Sequence, residues 1–503
     1  MTKFVSLASR FGQIAFALGL CLFALRILSY HLGLVTYPFP SSFREGAMMT
    51  TTDALVRGMN PYDMSLQPQF MNPYGIIYPL LIWPWAKIFG TTMFIHRIAT
   101  AVSIMAICTL VFFILKRMSV PILLNIWAIV MLYASLIFPG TSTPTIDPGA
   151  TATFFMLLTV FIPWFCEYST GSLTASLLLG LLSFYTKPYA VIGTIVMASY
   201  LFLFVSKKKG LCYGGAWLLL LTASVLLVNR LLPAYFDNCF FASFNMAHEW
   251  SSMERLIMQT HWYGSLYMWT LILMGIFAAL SLRGSEATEA ISFKTVSLPL
   301  YAGAWSAFVL YISLGRHTGA TLWYFFQLLS PYLLITAAWL FNRYAFWPLA
   351  IPFLLLNLFT LTADEDYQLF NKNTSSWTDV NVLLDHYQHV LGAPAIVPLL
   401  VQQNREVFDN GQSEYFLPGG RRMGWTSRFL QDDQRVFLQE ILFFNKIKSR
   451  VENKEFDLIL LQPNLLPLGI GDDIRKYYKF EGQVVVYPPQ DRKPYGITVW
   501  RPL

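Results

Sequence analysis

Eleven stretches of this chain are long and apolar enough to cross a hydrocarbon layer, and that succession limits the fold to a bundle of membrane helices. They fall at about 13–34, 93–115, 119–138, 148–167, 171–187, 189–206, 212–232, 264–281, 296–314, 323–341 and 344–361. Inside a bilayer each backbone N–H and C=O must find its partner within the segment, which a helix provides and an open strand does not. The pair meeting at Lys187–Pro188 also reads as one long broken element, because proline interrupts the helical hydrogen-bond ladder. Composition agrees: 55% of the residues are hydrophobic and only 13% charged, which excludes a disordered or ordinary soluble chain. The formal charge of +7 does not imply a nucleic-acid partner, since basic residues at helix ends orient a membrane protein without binding anything. Five scattered cysteines imply no disulfide framework. No small-residue cleavage site follows the first apolar stretch, so it reads as a retained helix.

The short loops give the orientation. Threading the chain from an inner N-terminus places Lys3, Arg10, Lys116, Arg117, Lys207–Lys209, Arg283, Lys294 and Arg343 on one side, as the positive-inside rule requires. The loop 35–92, the short loop 139–147, the loop 233–263, Arg316–His317 and the tail then lie outside the cytoplasm. After Thr362 the composition turns soluble. AIVPLL (395–400), FDLILLQP (456–463) and QVVVYPP (483–489) predict short strands, and RVFLQEILFFNKI (435–447) has helical spacing. The expected organisation is therefore an all-α polytopic membrane unit over 1–361 and a small extracytoplasmic α/β domain over 362–503, serving as a lid or scaffold or holding an acceptor.

The first outer loop is rich in proline and tyrosine: YPFPSSFREG (37–46), VRGMNPYD (56–63) and NPYGIIYP (72–79). Ionisable groups at the membrane boundary are costly and so are functional candidates. Four features fall near one level: Glu45 in FREG, Asp147 in PTIDPG, Lys187 in SFYTKPYA, and Arg316 with His317 in LGRHTGA. Each has a plainer alternative. Glu45 beside Arg44 could be a solvated pair, Asp147 before Pro148 a helix cap, Lys187 a snorkelling side chain, and Arg316–His317 simple juxtamembrane charge.

Taken together, two acids and several bases suit transfer of a sugar from a lipid phosphate. The phosphate leaving group needs fixed cations, which Lys187, Arg316 and His317 supply, with arginine offering a planar fork and lysine a point charge. The acceptor hydroxyl needs a carboxylate to take its proton, the role expected of Glu45. Direct displacement with one base inverts the anomeric carbon. Arg44, Tyr62, Tyr74 and Tyr78 are the candidates for sugar or acceptor contact. No nucleotide-binding signature is present and no cofactor is expected, although Glu45 and Asp147 could form part of a divalent-cation site, for which a third clear oxygen ligand is missing.

These residues resemble the GT-C superfamily of integral-membrane glycosyltransferases, in particular the protein-mannosyltransferase-like and aminoarabinose-transferase-like group. The resemblance rests on the early acid Glu45 in FREG, GMNPYD (58–63), YPLLIWPWAKIFG (78–90), TKPYA (186–190) and LGRHTGATLWYFFQLLSPY (314–332). It implies a polyprenyl-phosphate-linked sugar donor, a glycan, lipid or protein acceptor, and a bacterial inner membrane. It also implies that Glu45 is the base and Asp147 a second acid. The chain departs from the pattern where Arg44 precedes a single acid, and it lacks the WWD-type motif of oligosaccharyltransferases. A transporter or flippase of lipid-linked sugars, or a glycan polymerase or ligase, are the alternative functions; the first predicts inverted repeats, and none is visible.

Overall fold

The computed structural model describes residues 2–137, 145–241, 254, 291–312, 322–343, 374–410, 434–462, 470–489 and 494–503. Among these, five helical segments are long and apolar enough to span a membrane: Gly12–Thr36, Met93–Arg117, Pro148–Phe165, Pro188–Val205 and Lys207–Leu231. Ile122–Ile137, Thr170–Thr186 and Leu298–Leu310 are apolar but shorter. The spans expected at 264–281 and 344–361 lie outside the described residues, as do Arg316 and His317. The interruption expected at Lys187–Pro188 is present. The helix Thr170–Thr186 ends there, Lys187 is extended at φ −149°, and Pro188–Val191 restarts the chain as a 3₁₀ turn.

In chain order the first helices are α1 (Thr2–Thr36), α2 (Glu45–Val56), α3 (Ile77–Phe89), α4 (Met93–Arg117), α5 (Ile122–Ile137), α6 (Pro148–Phe165) and α7 (Thr170–Thr186). The first loop is thus largely helical. Its α2 carries the run Thr50–Thr51–Thr52, which is β-branched and a poor helix former. Tertiary contacts sustain it. Each threonine hydroxyl donates to a carbonyl one turn back, and each also meets a different part of the chain: Asn410 Nδ2 at 3.4 Å, Asn72 Nδ2 at 2.9 Å and His96 Nε2 at 2.9 Å. The next helix, α3, buries Tyr78, Pro79, Ile82 and Ala86 and exposes Leu80, Leu81, Trp83, Trp85, Ile88 and Phe89. An apolar, tryptophan-bearing face turned outward suits a helix lying at a membrane interface.

The C-terminal residues form a four-stranded sheet of order β1-β2-β4-β3, from Val390–Gly392, Leu458–Leu461, Tyr478–Val486 and Tyr495–Pro502. β1 pairs parallel with β2, and the other two pairings are antiparallel. Two of the expected strands are present as β2 and β3, and the helix expected at 435–447 runs over Gln434–Glu452. AIVPLL is not a strand: it opens a short helix, Val397–Gln402, with Pro398 in its first turn. A six-residue apolar run fits a buried strand or a buried helix equally well, and here proline, which cannot serve a central ladder, decides for the helix.

This sheet unit is joined to the first loop through one continuous core. Met48 and Met49 of α2 and Tyr78 and Ile82 of α3 cluster with Val397, Leu400, Leu458 and Val486, while Phe39 stacks on Trp377 at 6.2 Å. Gln69 Nε2 donates to the Val407 carbonyl and Asn410 Nδ2 to that of Met71, both at 2.6 Å. At the start of α2 the fit is tight, because a Cβ added to Gly46 would fall 2.8 Å from Val397 Cγ1.

Candidate functional site

Two ion pairs, both buried, stand at the end of the bundle where α2, α4, α6 and α7 meet. The first is Glu45–Arg97. Glu45 is the first residue of α2, where the helix dipole favours an anion. Its Oε1 accepts from Arg97 Nε (3.0 Å), Ser41 Oγ (2.8 Å) and Thr145 Oγ1 (2.6 Å), and its Oε2 from Arg97 Nη2 (2.9 Å) and the Ser41 amide (2.9 Å). Arg97 also donates to the carbonyls of Tyr37 and Phe39, so its fork ties the end of α1 to the start of α2. Burial pushes the Glu45 carboxyl up, but the Arg97 charge and the donors around it hold it below its ordinary value. Both side chains have no exposure.

The second pair is Asp147–Lys187. Asp147 caps α6, its Oδ1 accepting the Gly149 amide at 2.9 Å with Pro148 at the first helical position. The same oxygen accepts from Lys187 Nζ at 2.9 Å, and Oδ2 accepts from Gln327 Nε2 at 2.5 Å. Lys187 sits where α7 stops, and three tyrosine rings surround its ammonium: Tyr74 at 5.2 Å, Tyr324 at 5.4 Å and Tyr189 at 5.6 Å. Burial raises the Tyr74 phenol above its ordinary value while Lys187 and then Arg44 pull it down, so both cations act on this hydroxyl. Arg44 is partly exposed and lies over the Phe43 ring at 5.1 Å.

Helix α4 connects the two pairs. Arg97 holds Glu45. One turn later Thr100 Oγ1 accepts the Asp147 amide at 3.1 Å, and Ser103 Oγ meets Thr151 Oγ1 of α6 at 2.7 Å. Tyr78 OH donates to the His96 carbonyl at 2.8 Å and contacts Thr100 Oγ1 at the same distance.

The two NPY stretches of the first loop are matching turns. Asn60 Oδ1 accepts the Tyr62 amide and Asn72 Oδ1 the Tyr74 amide, each at 3.0 Å. The first turn braces the second, since Tyr62 OH donates to the Tyr74 carbonyl at 3.0 Å. Gly75 then docks on the end of α7, its amide donating to Thr186 O at 3.1 Å. There is no room for a side chain: a Cβ on Gly75 would collide with the Tyr185 carbonyl and lie 2.9 Å from Thr186 O. Gly75→Ala is expected to cost about 1–3 kcal/mol, as overpacking does. It would also lift Tyr74 from Lys187, and a lower unfolding temperature than wild type is the measurement that checks it.

The structure therefore brings Glu45, Asp147, Lys187, Tyr74 and Tyr78 to one end of the bundle, with Arg44 at its edge. Tyr62 and Tyr78 are enclosed and their hydroxyls are engaged in the scaffold, whereas Tyr74 is half-buried. Arg97, Thr145 and Gln327 are additions to the sequence-derived set. Arg97 carried a signal, a charge one turn inside an apolar span; the other two are neutral and carried none. Among the described residues no three His, Cys, Asp or Glu side chains converge as metal ligands would.

No protein-family model matches this chain, and no curated protein matches it in sequence. Solved structures match it in shape, among them two of one protein. ArnT from Cupriavidus metallidurans bound to undecaprenyl phosphate aligns with a TM-score of 0.53 at 12% identity, over 95% of this chain and 97% of that one. The apo state of the same protein aligns with a TM-score of 0.55 at 10% identity, over 98% of each chain. The shared feature is the fold, helical bundle and C-terminal sheet unit together, and over nearly its whole length this chain has the fold of ArnT.

Proposed function

We propose that this protein is an inverting glycosyltransferase of the GT-C type, which moves a sugar from a polyprenyl-phosphate donor to an acceptor at the extracytoplasmic face of a bacterial inner membrane. The observation that carries the proposal is the buried Asp147–Lys187 pair in its tyrosine cage, at the loop end of a fold shared with a protein crystallised on undecaprenyl phosphate. Lys187 supplies the cation for the departing phosphate, and Arg316 and His317 are further candidates. Asp147 takes the proton of the acceptor hydroxyl as its oxygen attacks the anomeric carbon and the carbon–phosphate oxygen bond breaks. Its Oδ2 accepts one hydrogen bond among the described residues and so retains lone-pair capacity. The half-buried Tyr74 ring is the candidate for contact with the sugar. The reading needs no metal. The donor sugar is a hexose or pentose, and the acceptor is a glycan, a lipid or a protein.

The test uses the full chain in lipid nanodiscs with a set of undecaprenyl-phosphate-linked hexoses and pentoses. Release of undecaprenyl phosphate, coupled to a product of inverted anomeric configuration, is the expected result. Transbilayer movement of an intact donor with no bond cleavage would instead establish a flippase.

A further inference from the structure

We infer that Glu45 is a positioning residue: with Arg97 it grips Thr145 and so fixes the short loop that delivers Asp147. The inference rests on the transferase reading for the role of Asp147 and departs from the expectation that Glu45 is the base. Five donors converge on the Glu45 carboxylate, which has about four lone-pair sites, so no site is left for a substrate proton. The group is also fully enclosed. One of the five donors is Thr145, two residues before Asp147, and its hydroxyl also touches that of Ser41. From the other side the Asp147 amide is held by Thr100, one turn beyond Arg97 on α4. Residues 145–147 are therefore held at two points, by Glu45 at Thr145 and by α4 at Asp147.

The chemistry separates the two acids. Asp147 shares its oxygens among Gly149, Lys187 and Gln327, beside a lysine ringed by tyrosines, while Glu45 takes donors from Arg97, Ser41 and Thr145 on both oxygens. A base must be reached by the hydroxyl it deprotonates. Both acids are buried, and what separates them is occupancy: Asp147 Oδ2 carries one donor among the described residues and can still accept a proton, whereas the five donors on Glu45 make it the anchor.

Hydrogen–deuterium exchange on the full chain in nanodiscs tests the anchor without any substrate. Glu45→Ala is expected to raise exchange in the segment 145–152 about tenfold, and the milder Thr145→Val to raise it severalfold. Glu45→Gln keeps an acceptor oxygen for Arg97 Nε and Thr145 but turns its NH2 toward Arg97 Nη2 and the Ser41 amide, so it should raise exchange less than Glu45→Ala. In turnover, Glu45→Gln is expected to keep at least a tenth of the wild-type rate and the acid limb of its pH profile. The Glu45→Ala/Thr145→Val double variant should be no slower than Glu45→Ala, because both changes break one contact. Unchanged exchange in Glu45→Ala and Thr145→Val would overturn the anchor. Loss of all turnover in Glu45→Gln with normal exchange would also overturn it and return the base to Glu45. If the wild-type protein transfers no polyprenyl-phosphate sugar, the transferase reading falls alone, and the exchange result still decides the anchor.

Discussion

Asp147→Asn is expected to lower kcat for sugar transfer by about 10²–10⁴-fold, the usual contribution of a positioned general base. The variant should fold, because an asparagine can still accept the Gly149 amide and the Lys187 ammonium that Asp147 Oδ1 now accepts. Asparagine also remains a good helix cap before Pro148. Binding of undecaprenyl phosphate should persist, since Lys187 keeps its charge and its tyrosine ring. A kcat loss with retained phosphate binding would set Asp147 at the proton and Lys187 at the leaving group. A variant that keeps near-wild-type turnover would show that the proton goes elsewhere.

Arg97→Met carries the largest expected effect on stability. Removing one partner of a fully buried ion pair strands the other, at about 3–5 kcal/mol. The pH dependence should also change sign. In the wild type the folded Glu45 carboxyl lies below its unfolded value of about 4.3. Its contribution is therefore complete above that value and is lost as pH falls through the lower folded one. Without Arg97, burial dominates and raises the folded carboxyl above the unfolded value. Its contribution then becomes largest at acid pH and is lost as pH rises through the raised folded value. Thermal unfolding measured from about pH 4 to pH 8 should show the gap between variant and wild type widening with pH. A gap independent of pH would mean that Glu45 is not charged in the native protein.

The parts of this site that the sequence revealed are those with a local cause. Asp147 before Pro148 reads as a cap because capping is decided by adjacent residues, and Lys187–Pro188 reads as a break because proline acts on its own helix. Glu45 was visible as an acid at the edge of a span, yet its partner Arg97 is 52 residues away and looks like an ordinary boundary charge. Thr145 and Gln327 are uncharged, and only the packed bundle shows that they serve acids 100 and 180 residues distant. The helix α2 was hidden for a different reason: its threonines disfavour a helix on their own, and the partners that sustain it lie up to 360 residues away.

That last distance bears on when the first loop is completed. The chain emerges from its N-terminus, so α2 and its Glu45 are made early, while Val397 and Asn410, which close against Gly46 and Thr50, are made after every apolar span. Until then the methionine face of α2 is covered only in part, by Tyr78 and Ile82 of the first loop, and lacks Val397, Leu400, Leu458 and Val486. Contacts of such long sequence separation form late. The segment around Val397 and Asn410 thus acts as a completion check: a chain that stops before it can insert its helices but lacks the partners that close against Gly46 and Thr50.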